Sequence, residues 1–425
     1  MAITIMENID GLLKDHYAGP VRDQLNNEMM IFDLFNRRKM TWTGRKVIIP
    51  IRLDRNNSGG FRTEAATLPD AAHNSYDDLL ITAKYLYGRM SLSGPAISQA
   101  KASQGAFLNA LESELDGAKE TVKNVADAMM FIGAGTVGFV SDQSVGAVAD
   151  HPFSGNLEAL PIAGGVAVNC KVVNTADFSV ISTNTVTQSV NAGNITFGVA
   201  VDLAALPANG AASVVVENDT AGNPTLNSAA GIYSNLAGGP YATPEKHFEI
   251  DRNAAAGASL RSTVRALMPT GARSSIVTPK SLQFILDEIA TASGEMPDCM
   301  ISHYIFRQEY MGLLVQTVGA GLIGAAAFQK STDNGDAGFT GGFSFNGIPL
   351  KVSRHCGKGL LIFLKTASWL ITEVESPSLA DLDGNVLSRV QSTDAYEAFV
   401  RYYYNLVCTN PNRNGILVGL SYAGV

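Results

Sequence analysis

Between Gly94 and Gly133 the chain carries an amphipathic pattern too long for a small domain to enclose. Leu108, Leu111, Leu115, Ala118, Val122, Val125 and Met129 recur at spacings of three and four, while Glu112, Asp116, Lys119, Glu120 and Lys123 fall on other faces. The spacing predicts one helix whose core face is Leu108, Leu111, Leu115, Val122, Val125 and Met129. Ser93-Gly94-Pro95 offers an N-cap with proline in the first turn, and Gly133 suits a left-handed C-cap. At ~1.5 Å per residue, roughly 35 residues extend ~50 Å, a beam across the molecule. Gly105 and Gly117 inside it predict a bend or a close backbone neighbour.

Directly before the helix lies a polar-tipped excursion. Val47 to Arg55 and Leu79 to Tyr87 both alternate apolar with polar residues, and between them stand Asn56-Asn57-Ser58-Gly59-Gly60 and the charges Arg62, Glu64, Asp70, Asp77 and Asp78. Two such strands project roughly 30 Å. An isolated two-stranded ribbon is marginal in water, so another surface must cover it. Arg52, Asp54, Arg55, Arg62 and Glu64 are the candidate contacts to a neighbouring subunit.

The remaining chain divides by composition. Residues 1–45 read as an N-terminal arm, with a short helix at Ile9 to His16 and an apolar face of Leu25, Met29, Phe32 and Leu34/Phe35. From Gly133 to Pro244 the only lysine or arginine is Lys171, and alternating stretches at Ala176 to Val190, Asn194 to Val201 and Ala212 to Val216 predict an inserted β-rich module over 139–240. Beyond Phe248 the pattern is mixed. A helix is expected over Ala255 to Leu267, a strand over Ser274 to Thr278 and a second helix from Pro279. Strands follow at Leu350 to Ser353, Gly359 to Leu364, Trp369 to Val374, Val386 to Val390 and Tyr396 to Cys408. Strands that cluster instead of alternating with helices make the class α+β with an antiparallel bias.

Bulk properties exclude several functions. With 425 residues, 46% apolar and 16% charged, the chain has material for two or three domains. A net charge of −8 argues against a sequence-specific grip on nucleic acid or a grip on an anionic membrane. Cys170, Cys299, Cys356 and Cys408 lack metal-binding or redox spacing. Glu7 and Asp10 interrupt any signal peptide, and Lys365 ends the longest apolar run, so no membrane span is expected.

The motif search finds no catalytic constellation. Gly133-x-Gly135-x-x-Gly138 follows a helix instead of a strand and reads as a helix stop. Gly319, Gly321 and Gly324 are better placed for a dinucleotide, but the helix expected after them is short. Asp381-Leu382-Asp383-Gly384-Asn385 lacks the closing glutamate of a calcium loop and reads as a hairpin turn. His355 and Cys356 would point to opposite faces of a strand. The six histidines show no HxxxH or HExxH spacing, and GxSxG is absent. No enzyme activity, cofactor or metal is expected.

The order of these segments resembles that of tailed-bacteriophage major capsid proteins of the HK97-like fold. The resemblance rests on Gln24-Leu25-Asn26-Asn27, the Gly94-Pro95 helix start, Ser293-Gly294-Glu295-Met296-Pro297-Asp298, Asp381 to Arg389 leading into Asp394-Ala395-Tyr396, and Tyr402-Tyr403-Tyr404-Asn405-Leu406-Val407-Cys408. It implies an extended loop at 46–93, a peripheral domain with spine helix at 94–138, an axial domain at 248–374, and peripheral strands with a C-terminal return at 375–425.

By the same resemblance, the chain assembles through pentamers and hexamers into an icosahedral shell around double-stranded phage DNA, without sequence-specific contact. Its place is the virion capsid, assembled in the host bacterial cytoplasm. Implied partners are a portal protein, a decoration protein and, because only about 45 residues precede the loop, a separate scaffolding protein. No lysine lies between Lys46 and Lys84, so closure is expected to be non-covalent. An encapsulin-like compartment on the same fold, and a dinucleotide enzyme using Gly319, Gly321 and Gly324, are the alternatives.

Overall fold

The computed structural model describes residues 30–39, 46–64, 66–93, 104–133, 136–140, 148–155, 168–176, 180–188, 194–201, 203, 206, 211–216, 229–237, 246–267, 277–313, 343–379, 388–389 and 394–420. It opens with α1 (Met30–Leu34) and β1 (Asn36–Lys39), then β2 (Lys46–Asp54), β3 (Ser75–Thr82) and β4 (Lys84–Ser93), and the helix α2 (Gln104–Ile132). Six strands follow: β5 (Thr136–Val140), β6 (Val148–Gly155), β7 (Val168–Asn174), β8 (Val180–Gln188), β9 (Asn194–Val201) and β10 (Ala212–Val216). Next come α3 (Ile232–Ala237), the short strands β11 (Lys246–His247) and β12 (Ile250–Asp251), β13 (Thr263–Ala266) and α4 (Pro279–Ser293). The chain continues with β14 (Cys299–Ser302), β15 (Ser344–Phe345), β16 (Ile348–Val352), β17 (Leu360–Leu364), β18 (Trp369–Leu379), β19 (Ser388–Arg389), β20 (Ala395–Cys408) and β21 (Gly415–Val418).

The long helix is present, with corrections. Gly133 takes φ 69° and its N–H donates to Met129 O at 2.7 Å, the C-cap the sequence predicts. Ser93 closes β4 and pairs with Ala395, and the expected helix start at Gly94-Pro95 lies outside the described residues, as do 96–103. The buried face is Val122, Ala126, Asp127 and Met130, leading to Phe131 and Ile132. Val125, expected in the core, is 38% exposed, and Met129 is half-buried. The face is turned toward small residues because the helix lies close against β4, where a Cβ on Gly88 would come 2.4 Å from Val122 Cγ2. Gly117 has open space where its side chain would be, so it marks no close neighbour. Leu108, Leu111 and Leu115 belong to α2 by backbone alone.

The described strands form two larger sheets, a closed barrel and two two-stranded pairs. β1, β18, β20 and β19 form one sheet in that order, with β4 paired along β20 from Ala395↔Ser93 to Tyr404↔Lys84. β5 to β10 close into a barrel in the order β10-β5-β6-β9-β8-β7, so the expected β-rich module exists but begins at Thr136, before residue 139. The third unit is a six-stranded sheet, β13-β21-β17-β14-β16-β15. Its residues alternate between two cores: Leu360, Ile362 and Leu364 join the cluster shared with α2 and the barrel, while Leu361 and Phe363 join a second cluster with Leu282, Ile285, Leu286 and Ile289 of α4. Burial on both faces explains the unbroken apolar run Leu360-Leu361-Ile362-Phe363-Leu364.

Several boundaries move. The helix expected over Ala255 to Leu267 is a 3-10 turn, Ala255–Leu260, followed by strand β13. α4 starts at Pro279, with Thr278 and Ser281 forming a capping box and Gly294 at φ 76° ending it. A division at 374/375 would cut β18, and the C-terminal strand β21 hydrogen-bonds into the sheet of residues 263–364. The Ile9 to His16 helix, most of the Ser274 to Thr278 strand, Asp381 to Asn385 and the glycines 319, 321 and 324 lie outside the described residues.

Candidate assembly surface

The ribbon is β2 paired antiparallel with β3, from Lys46↔Thr82 to Asp54↔Ser75. Cross-strand partners share a face, so Val47, Ile49, Ile51, Leu79 and Ile81 lie on one side and Ile48, Pro50, Arg52, Tyr76 and Asp78 on the other. The first side packs on Ala230, Phe248, Ile250, Leu260 and Val407 of the same chain. The cover that the sequence demands is therefore supplied for this face by the chain itself. The second side stays open, with Ile48 58% and Tyr76 67% exposed.

Asn56 closes the neck of the tip: its N–H donates to Asn74 Oδ1 at 2.8 Å and its Nδ2 to Ala72 O at 2.7 Å, while its own Oδ1 accepts from Ser58 N. Beyond that neck Phe61 and Leu68 project with no cover from their own chain, Phe61 fully and Leu68 80% exposed. With Ile48 and Tyr76 they are the large apolar side chains that the described ribbon leaves uncovered. Arg52, Asp54, Arg55, Arg62 and Glu64 are all exposed, spread along strand and tip, and no ion pair joins them among the described residues. Charge led the reading of the sequence. The apolar members Ile48, Phe61, Leu68 and Tyr76 were missed, although an aromatic inside a glycine- and asparagine-rich tip is a visible signal.

A second open surface sits at the root of the ribbon. The return arm does not run continuously as one ribbon strand; it leaves β2 at Ala83 and becomes β4, paired with β20. On the outer face of that pair Tyr85, Tyr87, Tyr403 and Phe399 stack edge-on, with centroids 5.0 Å apart for Tyr85–Tyr403, 5.8 Å for Tyr87–Tyr403 and 6.4 Å for Tyr87–Phe399. Arg89 pairs with Glu397 beside them, and Arg401 with Glu375 at 2.7 Å. Tyr85 and Tyr87 remain more than half exposed.

The interior has little reactive character. Burial pushes the thiols of Cys356 and Cys408 up to about 12 and that of Cys299 to about 11, which keeps them protonated and unreactive. No group of three His, Cys, Asp or Glu side chains is placed to hold a metal among the described residues, and no described helix is long and apolar enough to cross a membrane.

Solved structures match this architecture from end to end. A cyanophage A-1(L) capsid asymmetric unit superposes with a TM-score of 0.59 at 11% identity, over 98% of this chain and 99% of that one. The chain has the fold of phage capsid proteins. The capsid fold recurs at a TM-score of 0.50 in the capsid of a native GTA particle, 10% identical over 97% of each chain, and in that of Myoviridae phage XM1, 7% identical over 99% of each. At such identity the likeness fixes the fold alone. No family model and no curated protein matches the sequence.

Proposed function

We propose that the chain is a structural subunit of a phage capsid, and that it assembles through pentamers and hexamers into an icosahedral, HK97-like shell around double-stranded DNA. The observation that carries this reading is the ribbon, which covers one face internally and leaves Ile48, Phe61, Leu68 and Tyr76 open. Copies of the same chain can cover that face in a closed symmetric assembly, where many modest contacts per subunit add up. In this reading 46–93 is the extended loop, 94–138 the spine and 248–374 the axial region, with the barrel as an added module. A scaffolding protein, a portal and a decoration protein are its expected partners, and the host bacterial cytoplasm the place of assembly.

Electron microscopy of the purified chain tests the proposal. Closed shells that enclose DNA in infected cells support it, protein cargo would indicate a cellular compartment, and discrete small oligomers would overturn it. Phe61→Asp, Arg62→Glu and Glu64→Arg act at the tip, so each is expected to lower particle yield while the circular dichroism of the unassembled chain stays unchanged. With no lysine between Lys46 and Lys84, boiled particles are expected to run as a single monomer band.

A further inference from the structure

The base of the ribbon meets a small hairpin that is strained and sits on a buried histidine. β11 and β12 pair His247 with Ile250, so Phe248 and Glu249 form a two-residue turn, and both take positive φ, 47° and 82°. Such turns ordinarily use Asn-Gly, and a bulky residue held at positive φ costs roughly 1–2 kcal/mol. The strained turn faces the ribbon. Phe248 O accepts from Leu80 N at 3.3 Å, the Phe248 ring is buried against the ribbon's inner face, and Glu249 lies 3.8 Å from Lys46.

Behind the turn, the His247 ring is fully buried. Its Nε2 lies 2.8 Å from Cys408 O, a carbonyl that can only accept, so Nε2 carries the proton and Nδ1 accepts from Arg252 Nη2 at 2.8 Å. The same guanidinium donates to Asn235 O and Leu236 O at the end of α3. Burial lowers Arg252 to about 9, which still leaves it charged at neutral pH. From β20 the ring meets the Cys408 carbonyl, whose thiol is protonated; from α3, the Asn235 and Leu236 carbonyls accept from Arg252. No carboxylate contacts the ring among the described residues.

We propose that His247 is an acid-sensitive latch: its protonation sets an imidazolium against the Arg252 guanidinium and lets the strained 246–251 hairpin release the base of the ribbon. The inference rests on the reading of the ribbon as the assembly surface, whose angle the latch would set. Burial and the neighbouring Arg252 hold His247 well below its ordinary value, in accord with a neutral ring at pH 7. The sign follows directly. Above about pH 6.5 the ring is neutral whether the hairpin is closed or open; below it only the open form takes the proton, so opening gains up to ~10-fold per pH unit.

Hydrogen exchange on the unassembled chain, corrected for intrinsic rate, tests this without requiring particles to form. Between pH 7.5 and 5, protection is expected to fall first at 75–82 and 246–251, while 360–364 and 415–418 stay protected. His247→Gln keeps a donor for Cys408 O and an acceptor for Arg252 without a titrating ring, and should abolish the acid response. Glu249→Gly relieves the positive φ and should move the opening to lower pH, even if the Gln variant fails to fold. Acid opening unchanged in either folded variant, or uniform loss of protection across the chain, would overturn the latch. Normal latch behaviour with no particle formation would fault the assembly reading instead.

Discussion

Gly88 shows how one absent side chain sets the distance between two elements. It faces α2 from β4, and a Cβ there would sit 2.4 Å from Val122 Cγ2 and 3.6 Å from Ala118 O. Its backbone is not in the left-handed region, so the constraint is steric alone. Gly88→Ala is expected to destabilise the chain by about 1–3 kcal/mol through overpacking. Val122→Ala removes the clashing methyl and leaves a small cavity when made alone. Together the two substitutions should cost less than their sum by about 1 kcal/mol or more, and denaturant melts of the four chains measure that coupling. Simple additivity would mean that β4 and α2 move apart freely. The same close approach explains a misreading. Large apolar residues set the expected helix face, but the helix also buries the small Ala126 and the polar Asp127, whose Oδ1 accepts from Ile31 N at 2.9 Å. Val125, which looks like core in the sequence, is displaced toward solvent.

At the scale of elements, α3 illustrates a helix held by its ends. Its six residues are all buried and too few to be stable alone. Its C-terminal carbonyls are satisfied from outside, Asn235 O and Leu236 O by Arg252 and Leu236 O also by Ser262 Oγ at 2.6 Å. Arg252→Lys keeps the charge but cannot span two carbonyls and His247 Nδ1 at once. A loss of about 2–4 kcal/mol in thermal or denaturant unfolding is expected, since buried acceptors lose charge-assisted partners. An unchanged melting point would assign the end of α3 to Ser262 alone. None of this was legible, because the partners lie far apart in sequence and α3 carries no amphipathic pattern. The ribbon was legible in outline, since alternation marks strands locally. What alternation could have shown is the break at Ala83. The inward residues are Leu79 and Ile81 before it but Leu86, Gly88 and Met90 after it, a change of phase from odd to even positions that marks the strand changing sheets.

At the scale of the whole molecule, the largest of the cores joins α2, the barrel and the two larger sheets. A single cluster runs from α1 and α2 through the barrel residues Val137, Phe139, Cys170 and Phe197 to α3, β20 and one face of the β17 sheet. The barrel is fastened at more than its chain ends. Gly155 bridges to Lys358, and a Cβ on Gly359 would fall 2.7 Å from Ser154 Oγ. Where α2 stops, Gly133 and Gly231 meet backbone to backbone, a Cβ on Gly133 falling 1.8 Å from Gly231 N. A module attached only through its termini could melt alone, whereas one that shares buried surface with the body must expose that surface when it opens. Cys170 in the barrel and Cys408 in β20 are both fully buried, so their thiols report the two regions separately. Pulsed thiol labelling along a thermal ramp should give one midpoint for both residues. Earlier labelling of Cys170 would reveal a barrel that unfolds on its own. The shared midpoint follows from the packing, since Phe139, Cys170 and Phe197 of the barrel belong to the same core as Trp369 and Tyr402.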